Sequence, residues 1–194
     1  MTEPRHQRRG HRRTGDDSSS GERRAAAEQV DAAQRAKDIC LRLLTVRPRT
    51  RAELRQALLR KEIEEDVADQ VLSRLDEVGL VDDSAFAEVW VRSRHTHQGI
   101  GRRALATELR RKGVDDAVAA EAVATVDAEA EEERARQLVR KRIRTMADSD
   151  DAARIRKLVG MLARRDYSEG LAFRVVRDEL RAAGEDSDLL DGPG

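Results

Sequence analysis

The sequence is poor in the residues on which many other folds and sites depend. It contains one cysteine, four aromatic residues and three prolines among 194 residues, and 39% of its residues are charged. One cysteine excludes an internal disulfide and a zinc-ribbon or thioredoxin-type site. So few aromatic residues and prolines are atypical of a β-sandwich. No run of about 18 apolar residues is present, so we expect no transmembrane helix. The first 24 residues lack the apolar core of a signal peptide, and we therefore expect a cytoplasmic protein.

Charge is balanced overall but uneven along the chain. The sequence has 38 basic and 38 acidic residues, for a formal net charge of zero. Residues 86–114 nevertheless have a net charge of +5 and residues 134–181 one of +7, whereas residues 115–133 contain eight acids and no base. The two basic segments are suited to face a polyanion or an acidic groove of a protein.

Both ends of the chain have compositions that predict disorder. Residues 1–30 have almost no apolar side chain before Val30, so they bury too little surface to offset the entropy of ordering. Residues 182–194 contain four acids and no base. We therefore predict a disordered basic tail over 1–30 and an acidic flexible tail over 182–194. The basic tail is interpreted as a solubilising extension, with a nucleic-acid-binding arm as the alternative.

Between the tails, an apolar pattern typical of helices occurs three times. Apolar residues recur at spacings of three and four, and each unit consists of two such helices around a short basic turn, preceded by a further helix. The positions that match after shifts of 51 and then 53 residues include Leu54, Leu58 and Ile63, then Leu105, Leu109 and Val114, then Leu158, Leu162 and Tyr167. We therefore predict an all-α, elongated array of three tandem three-helix repeats over 31–83, 84–132 and 133–181.

Local signals mark helix ends in the first repeat. Thr50 and Glu53 have the spacing of a capping box, in which the Thr hydroxyl accepts from the Glu amide and the Glu carboxylate reaches back. The box predicts a helix that begins at Arg51. Gly79 is typical of a helix C-cap.

Residues that could support catalysis or hold a metal are few. His95 and His97 have no cysteine or acidic ligand cluster nearby in sequence, and we interpret them as an exposed helix end rather than a metal site. Gly99 and Gly101 lack the preceding strand and third glycine of a dinucleotide fingerprint. Cys40 lies on an apolar helix face, as a buried structural thiol does. We therefore predict no catalytic residue, no cofactor and no metal.

Basic residues at the helix ends are the candidate partner-binding residues. Arginine suits phosphate and carboxylate groups because its planar fork donates paired hydrogen bonds. The alternative is a solvated face that complements helix dipoles. Phe86, Val89 and Trp90 form the apolar face of a helix in the second repeat, and we predict Phe86, Trp90, Leu105 and Leu109 as structural core residues. The candidate binding residues are Arg92, Arg94, Arg102, Arg103, Arg110, Arg111, Lys112, Arg140, Lys141, Arg164 and Arg165.

The second repeat closely resembles the signature of a known family. Residues 80–114 read LVDDSAFAEVWVRSRHTHQGIGRRALATELRRKGV. This stretch has the acidic pair, F-A dipeptide, basic helix end, G-x-G loop and E-L-x-x-K-G turn of the RecX family of bacterial recombination regulators. The flanking repeats fit as well, with LRLLTVRPRTRAELRQALLRK before it and RKLVGMLARRDYSEGLAFRVV after it. The resemblance covers about residues 36–181.

The resemblance implies regulation without catalysis. RecX proteins bind the RecA recombinase, lie in the groove of its nucleoprotein filament, and limit filament growth, ATP hydrolysis, strand exchange and coprotease activity. We therefore expect RecA and the RecA–DNA filament as partners in recombination, DNA repair and the SOS response, with at most weak direct DNA contact and neither a membrane nor a small-molecule substrate. The alternatives are a helix-turn-helix-like DNA-binding protein that acts without RecA and a passive helical scaffold.

The chain departs from the family at two turns. Where the family often has glycine between the second and third helices of a repeat, this sequence has Glu62, Gly113 and Asp166. A left-handed backbone is harder for Glu than for Asp. We therefore expect the first of these turns to be built differently.

Overall fold

The computed structural model describes residues 17–146 and 151–183 of the chain. Within these residues the regular elements are helices, and a short π-helical segment, Arg94–Gln98, continues the fourth. The α-helices are α1 (Asp17–Val46), α2 (Arg51–Leu59), α3 (Glu65–Glu77), α4 (Asp83–Ser93), α5 (Arg102–Arg111), α6 (Asp116–Ala124), α7 (Ala128–Ile143), α8 (Asp151–Ala163) and α9 (Glu169–Ala182).

Successive groups of three helices each enclose a core of their own. Helices α1 to α3 form the first repeat, α4 to α6 the second and α7 to α9 the third. The two leucines that recur in the second helix of each repeat are fully buried, and each contributes about 1.5–3 kcal/mol relative to an exposed position. The predicted all-α fold of three tandem three-helix repeats is confirmed.

The turn between the second and third helices has the same left-handed backbone in all three repeats. The φ angles are 59° at Glu62, 76° at Gly113 and 62° at Asp166. The expectation that the first turn differs is therefore wrong. The reason lies in the next residue of each turn, which is buried and donates its amide to the second leucine of the preceding helix. These bonds are Ile63 N to Leu58 O at 3.2 Å, Val114 N to Leu109 O at 3.1 Å, and Tyr167 N to Leu162 O at 3.3 Å.

The first helix begins earlier than the composition of the tail predicted. It starts at Asp17, so residues 17–30, which we expected to be disordered, are helical. Residues 22–28, ERRAAAE, are all good helix formers, and Arg24 and Glu28 form an ion pair one turn apart at 3.4 Å. A helix needs few apolar residues to form, although it needs them to pack. Residues 1–16 and 184–194 of the two predicted tails lie outside the described residues.

The third repeat also begins earlier than the predicted boundary at residue 133. Helix α7 starts at Ala128 because Asp127 caps it, accepting a hydrogen bond from the amide of Ala130 at 2.7 Å. Asp82 caps α4 in the same way, with Ala85 as the donor at 2.8 Å. An aspartate therefore fixes where each later repeat starts.

Candidate partner-binding surface

The first and second repeats meet where α2 begins. The side chain of Thr50 is fully buried, and its hydroxyl accepts from the amide of Glu53 at 3.1 Å and donates to the carbonyl of Lys112 at 2.7 Å. The amide of Arg51 donates to the Asp83 carboxylate at 2.8 Å. The second repeat therefore completes the cap of a helix in the first, and we call these contacts the first junction.

The predicted capping box is half correct. The Thr50 hydroxyl caps the helix, but the Glu53 carboxylate does not reach back to Thr50. It accepts from Arg47 at 3.0 Å and from the Lys112 ammonium at 2.9 Å, across the first junction. Partial burial acts to raise the pKa of Glu53, but the hydrogen bonds from Arg47 and Lys112 outweigh it and lower the pKa below its ordinary value.

The second and third repeats meet in an equivalent way at the start of α5, which we call the second junction. The amide of Gly101 donates to the Arg165 carbonyl at 2.9 Å, and the amide of Arg102 donates to the Glu131 carboxylate at 2.8 Å. A Cβ atom at Gly101 would lie 3.0 Å from the carbonyl oxygens of both Arg165 and Asp166, which is tighter than most Cβ contacts, so this close approach favours glycine. In each junction a carboxylate from the following repeat accepts the first amide of the second helix.

Several predicted binding residues are engaged inside the protein, and two of them enclose Trp90. The Arg94 guanidinium donates to the Glu108 carboxylate at 2.8 Å, and the same carboxylate accepts from the Trp90 indole at 2.9 Å. The Lys112 ammonium lies 4.2 Å from the centroid of the Trp90 ring, and the Arg94 guanidinium lies 5.3 Å from it. Hydrogen bonding from Arg94 is the main cause that lowers the pKa of Glu108.

The predicted core residues of the second repeat differ in burial. Leu105 and Leu109 are fully buried and Phe86 is 8% exposed. Trp90 is half-buried and stacks on Phe86 with 5.7 Å between ring centroids. Val89, which we placed on the apolar face with them, is instead 55% exposed. Val89 lies two residues from each of the buried Ala87 and Val91. A step of two residues turns a helical side chain by about 200°, so Val89 faces away from the core on their side.

Two predicted binding residues of the third repeat also have intramolecular partners. Arg140 donates to the buried carboxylate of Glu179 at 2.7 Å, and Arg136 lies 3.3 Å from the same group. Removing these partners would leave a buried charge uncompensated, which is strongly destabilising. Arg165 donates to the carbonyls of Met161 at 3.1 Å and Gln98 at 3.4 Å, the latter across the second junction.

The remaining predicted binding residues face solvent, apart from the half-buried Arg102. Within residues 17–146 and 151–183 they form no ion pair. Arg103, Arg110 and Arg111 lie on one exposed face of α5, where Arg110 also donates to the hydroxyl of Thr107 at 3.2 Å. The exposed candidates are Arg92, Arg103, Arg110, Arg111, Lys141 and Arg164.

A basic cleft in the third repeat contains residues that our sequence analysis did not select. Its volume is about 600 Å³, and among the described residues its lining includes five cations and no carboxylate. We call it the α8 cleft; its lining cations are Arg142, Arg156, Lys157, Arg164 and Arg165. The shift of 53 residues that relates the repeats superposes Arg103 on Arg156 and Arg111 on Arg164. That correspondence was the available signal for Arg156.

The described residues include no group of three or more His, Cys, Asp or Glu side chains placed to hold a metal ion.

Burial raises the pKa of the Cys40 thiol to about 11, which keeps it protonated and unreactive near neutral pH. His95 lies in the π-helical segment after α4, and its ring Nδ1 is 3.1 Å from the carbonyl of Ile100 in the loop that leads to α5. In the part of the chain that the structure describes, no helix is long and apolar enough to cross a bilayer.

Fold and surface together define an all-α protein of tandem three-helix domains with cations arrayed on its later repeats. Family models for the first, second and third three-helix domains of RecX match residues 36–75, 82–123 and 129–176. The chain belongs to the RecX family of regulatory proteins.

Named relatives agree with this assignment. The chain is 54% identical over 158 residues to the regulatory protein RecX of Amycolatopsis mediterranei, which covers 81% of this chain and 90% of that protein. It is 52% identical over 164 residues to RecX of Streptomyces coelicolor, covering 84% and 87% of the two chains. For RecX of Thermobifida fusca, the identity is 51% over 173 residues, covering 89% and 94%.

Solved structures share the fold. A crystal structure of RecX from Lactobacillus salivarius matches with a TM-score of 0.71 at 21% identity, covering 77% of this chain and 97% of that one. A second RecX crystal structure matches with a TM-score of 0.68 at 23% identity, covering 81% and 77%. The arrangement of three helical domains therefore persists where most side chains have changed.

Proposed function

We propose that this protein binds a RecA recombinase and its filament on DNA, and so limits filament growth, ATP hydrolysis, strand exchange and coprotease activity. It would thereby regulate homologous recombination and DNA repair. The choice of RecA as the partner is based on membership of the RecX family. The observation that carries the site is the exposed face of α5 with Arg103, Arg110 and Arg111, which form no ion pair with any of the described residues.

The structure divides the candidate cations by what they already bind. Four of them are engaged within the protein. Arg94 binds Glu108 and Arg140 binds the buried Glu179. Lys112 and Arg165 form contacts across the first and second junctions. The exposed set and the half-buried Arg102 retain donors for carboxylates or phosphates of a partner. We therefore assign binding to the exposed set, and positioning of that set to the engaged residues.

Inhibition of this kind needs no catalytic group on the regulator. A protein that occupies a surface needed by the next recombinase subunit or by a second DNA strand blocks assembly for as long as it stays bound. Its effect then depends on residence time, which is governed by the contacts at the interface.

Charge reversal on α5 tests the site. Arg103 and Arg110 are seven residues, or about two turns, apart on one exposed face. Arg103→Glu with Arg110→Glu should keep the melting temperature and lose most inhibition of the single-stranded-DNA-dependent ATPase of RecA. The wild-type effect should weaken with added salt, since exposed charges are screened.

A matched control separates this site from net charge. Arg35 and Arg42 are also exposed and seven residues apart, but they lie on α1. Arg35→Glu with Arg42→Glu changes the net charge equally and should preserve inhibition. Equal inhibition by the folded α5 variant and wild type would contradict the site assignment, whereas equal loss in both variants would show a nonspecific charge effect.

Direct nucleic-acid binding is a second candidate function, and the α8 cleft favours it. Five lining cations provide the setting in which phosphates displace counterions. Arg156→Glu with Lys157→Glu should then abolish a DNA gel shift measured without RecA, and the wild-type shift should fall steeply with salt. No shift at low salt would contradict this function and leave the RecA proposal intact.

A further inference from the structure

The first repeat and the start of the second expose a continuous apolar surface. One groove, of about 470 Å³, lies between the end of α1 and α4; we call it the Trp90 groove. Its apolar lining includes Leu44, Pro48, Leu80, Phe86, Val89 and Trp90. A second groove, of about 400 Å³, lies between α1 and α3, with Val30, Val71, Leu75, Val78 and Leu80 in its lining. Leu80 belongs to both, so the two grooves are adjacent.

The side chains that border these grooves are unusually exposed for their type. Val89 and Leu80 are 55% and 51% exposed, and Val30 and Val78 are each 68% exposed. Single exposed apolar residues are common on protein surfaces, whereas contiguous apolar patches mark interaction sites. The exposed side chains at the borders of the grooves lie outside the buried clusters, whereas Val71, Leu75 and Phe86 in the lining belong to the core.

The borders of the grooves are mainly basic. Lys37 and Arg74 line the groove between α1 and α3, and Arg49 lines the Trp90 groove together with Arg47, which is paired with Glu53. The carboxylate among the lining residues is that of Asp82, which is already engaged as the cap of α4. An apolar floor with a basic border is complementary to aliphatic side chains flanked by carboxylates.

We propose that this surface docks an acidic, aliphatic segment of the protein that the regulator controls, here the recombinase. The inference rests on the proposed function and adds a second contact to the arginine face of α5. A protein segment fits better than nucleic acid, because bases bind by stacking on aromatic rings. The most exposed side chains here, such as Leu80 and Val89, are aliphatic, and Trp90 is already stacked on Phe86. Apolar anchoring in the grooves would hold the partner under conditions where salt screens the α5 contact.

Substitution of the exposed apolar residues tests the surface. Leu80→Gln with Val89→Gln removes apolar area and adds no charge, at positions that are already half exposed. It should weaken RecA binding at least tenfold with little change in melting temperature. Phe173→Gln, at a 41% exposed position in the third repeat, is the matched control and should bind like wild type. Wild-type affinity in the folded groove variant would overturn the proposal.

A label at Trp90 reports on the groove directly. The chain has one tryptophan, so 5-fluorotryptophan incorporation gives one ¹⁹F resonance even when the partner contains tryptophan of its own. RecA should change the chemical shift of this resonance in wild-type protein and in the α5 charge-reversal variant at concentrations that saturate it, whereas broadening alone would follow from slow tumbling of any complex with RecA. An unchanged resonance at saturation would overturn the docking site.

The same spectra show whether something other than the recombinase fills the groove. A shift produced by raising the concentration of this protein alone would mean that a second copy fills the groove, and a shift with single-stranded DNA alone would mean nucleic acid; either result overturns the proposal. Failure of the proposed function can be distinguished from failure of the docking site, because in the first case wild-type protein would neither inhibit nor bind RecA. Inhibition with an unchanged resonance contradicts the docking site alone.

Discussion

The first junction depends on one hydroxyl group, and its removal should destabilise the protein by more than the loss of a surface cap. Thr50 is fully buried, accepts from the Glu53 amide and donates to the Lys112 carbonyl. Thr50→Val keeps the shape and removes both bonds. Loss of an N-cap costs about 1 kcal/mol, and leaving the partly buried Lys112 carbonyl without its donor costs about 1–3 kcal/mol. The sum is about 2–4 kcal/mol.

Urea unfolding followed by circular dichroism measures this loss. With a slope of about 2 kcal/mol per molar urea, the midpoint of the transition that includes the first two repeats should fall by about 1–2 M. Thr50→Ser keeps the hydroxyl and should recover most of the stability. A midpoint within about 0.3 M of wild type in the Val variant would refute the buried bridge between repeats.

Further expectations follow from other contacts. Gly101→Ala should destabilise the second junction by about 1–3 kcal/mol in urea unfolding, because its Cβ meets two carbonyl oxygens; Gly170→Ala, with open space around it in α9, should instead stabilise the protein by up to about 1 kcal/mol, and a reversed order would contradict both assignments. Trp90→Ala should cost about 2–4 kcal/mol through lost packing and loss of the indole hydrogen bond to Glu108, which keeps its bond from Arg94; a wild-type melting curve would show that Trp90 adds nothing to the core. Because the pKa of Glu108 is lowered in the folded state, its stabilising contribution is present above its ordinary pKa of 4.5 and is lost as the pH falls through the folded value. Glu108→Gln should therefore show a weaker loss of stability on acidification than wild type, and identical acid-unfolding profiles would contradict this. The Cys40 thiol should resist alkylation in the native protein at pH 8 and react in urea, since burial raises its pKa to about 11; rapid native labelling would refute its burial.

The repeats were predictable because their information is local and periodic. Apolar spacings of three and four select the helices, and shifts of 51 and 53 residues align the three buried leucine pairs. The junctions were not predictable in this way. Thr50 and Lys112 are 62 residues apart, and their contact depends on how two folded repeats meet. Glu62 shows the same limit, since a buried neighbour imposes a backbone that its own propensity opposes.

The sequence identified arginines but could not show which of them are free to bind. Arg94 and Arg103 both lie in the basic second repeat, yet only the fold places Glu108 against Arg94 and leaves Arg103 in solvent. The cations of the α8 cleft were partly visible, because Arg156 follows from Arg103 by the repeat shift. The Trp90 groove was hidden, since Val89 fits the apolar pattern of a core face and lies outside it.

The measurement that tests the central claim most directly is the single-stranded-DNA-dependent ATPase of the RecA recombinase from the same organism, titrated with this protein at constant salt. The proposed function predicts that hydrolysis falls progressively as the folded wild-type protein is added, and that the Arg103→Glu, Arg110→Glu variant requires a much higher concentration for the same effect. Hydrolysis that stays constant up to a large molar excess of folded wild-type protein would contradict it.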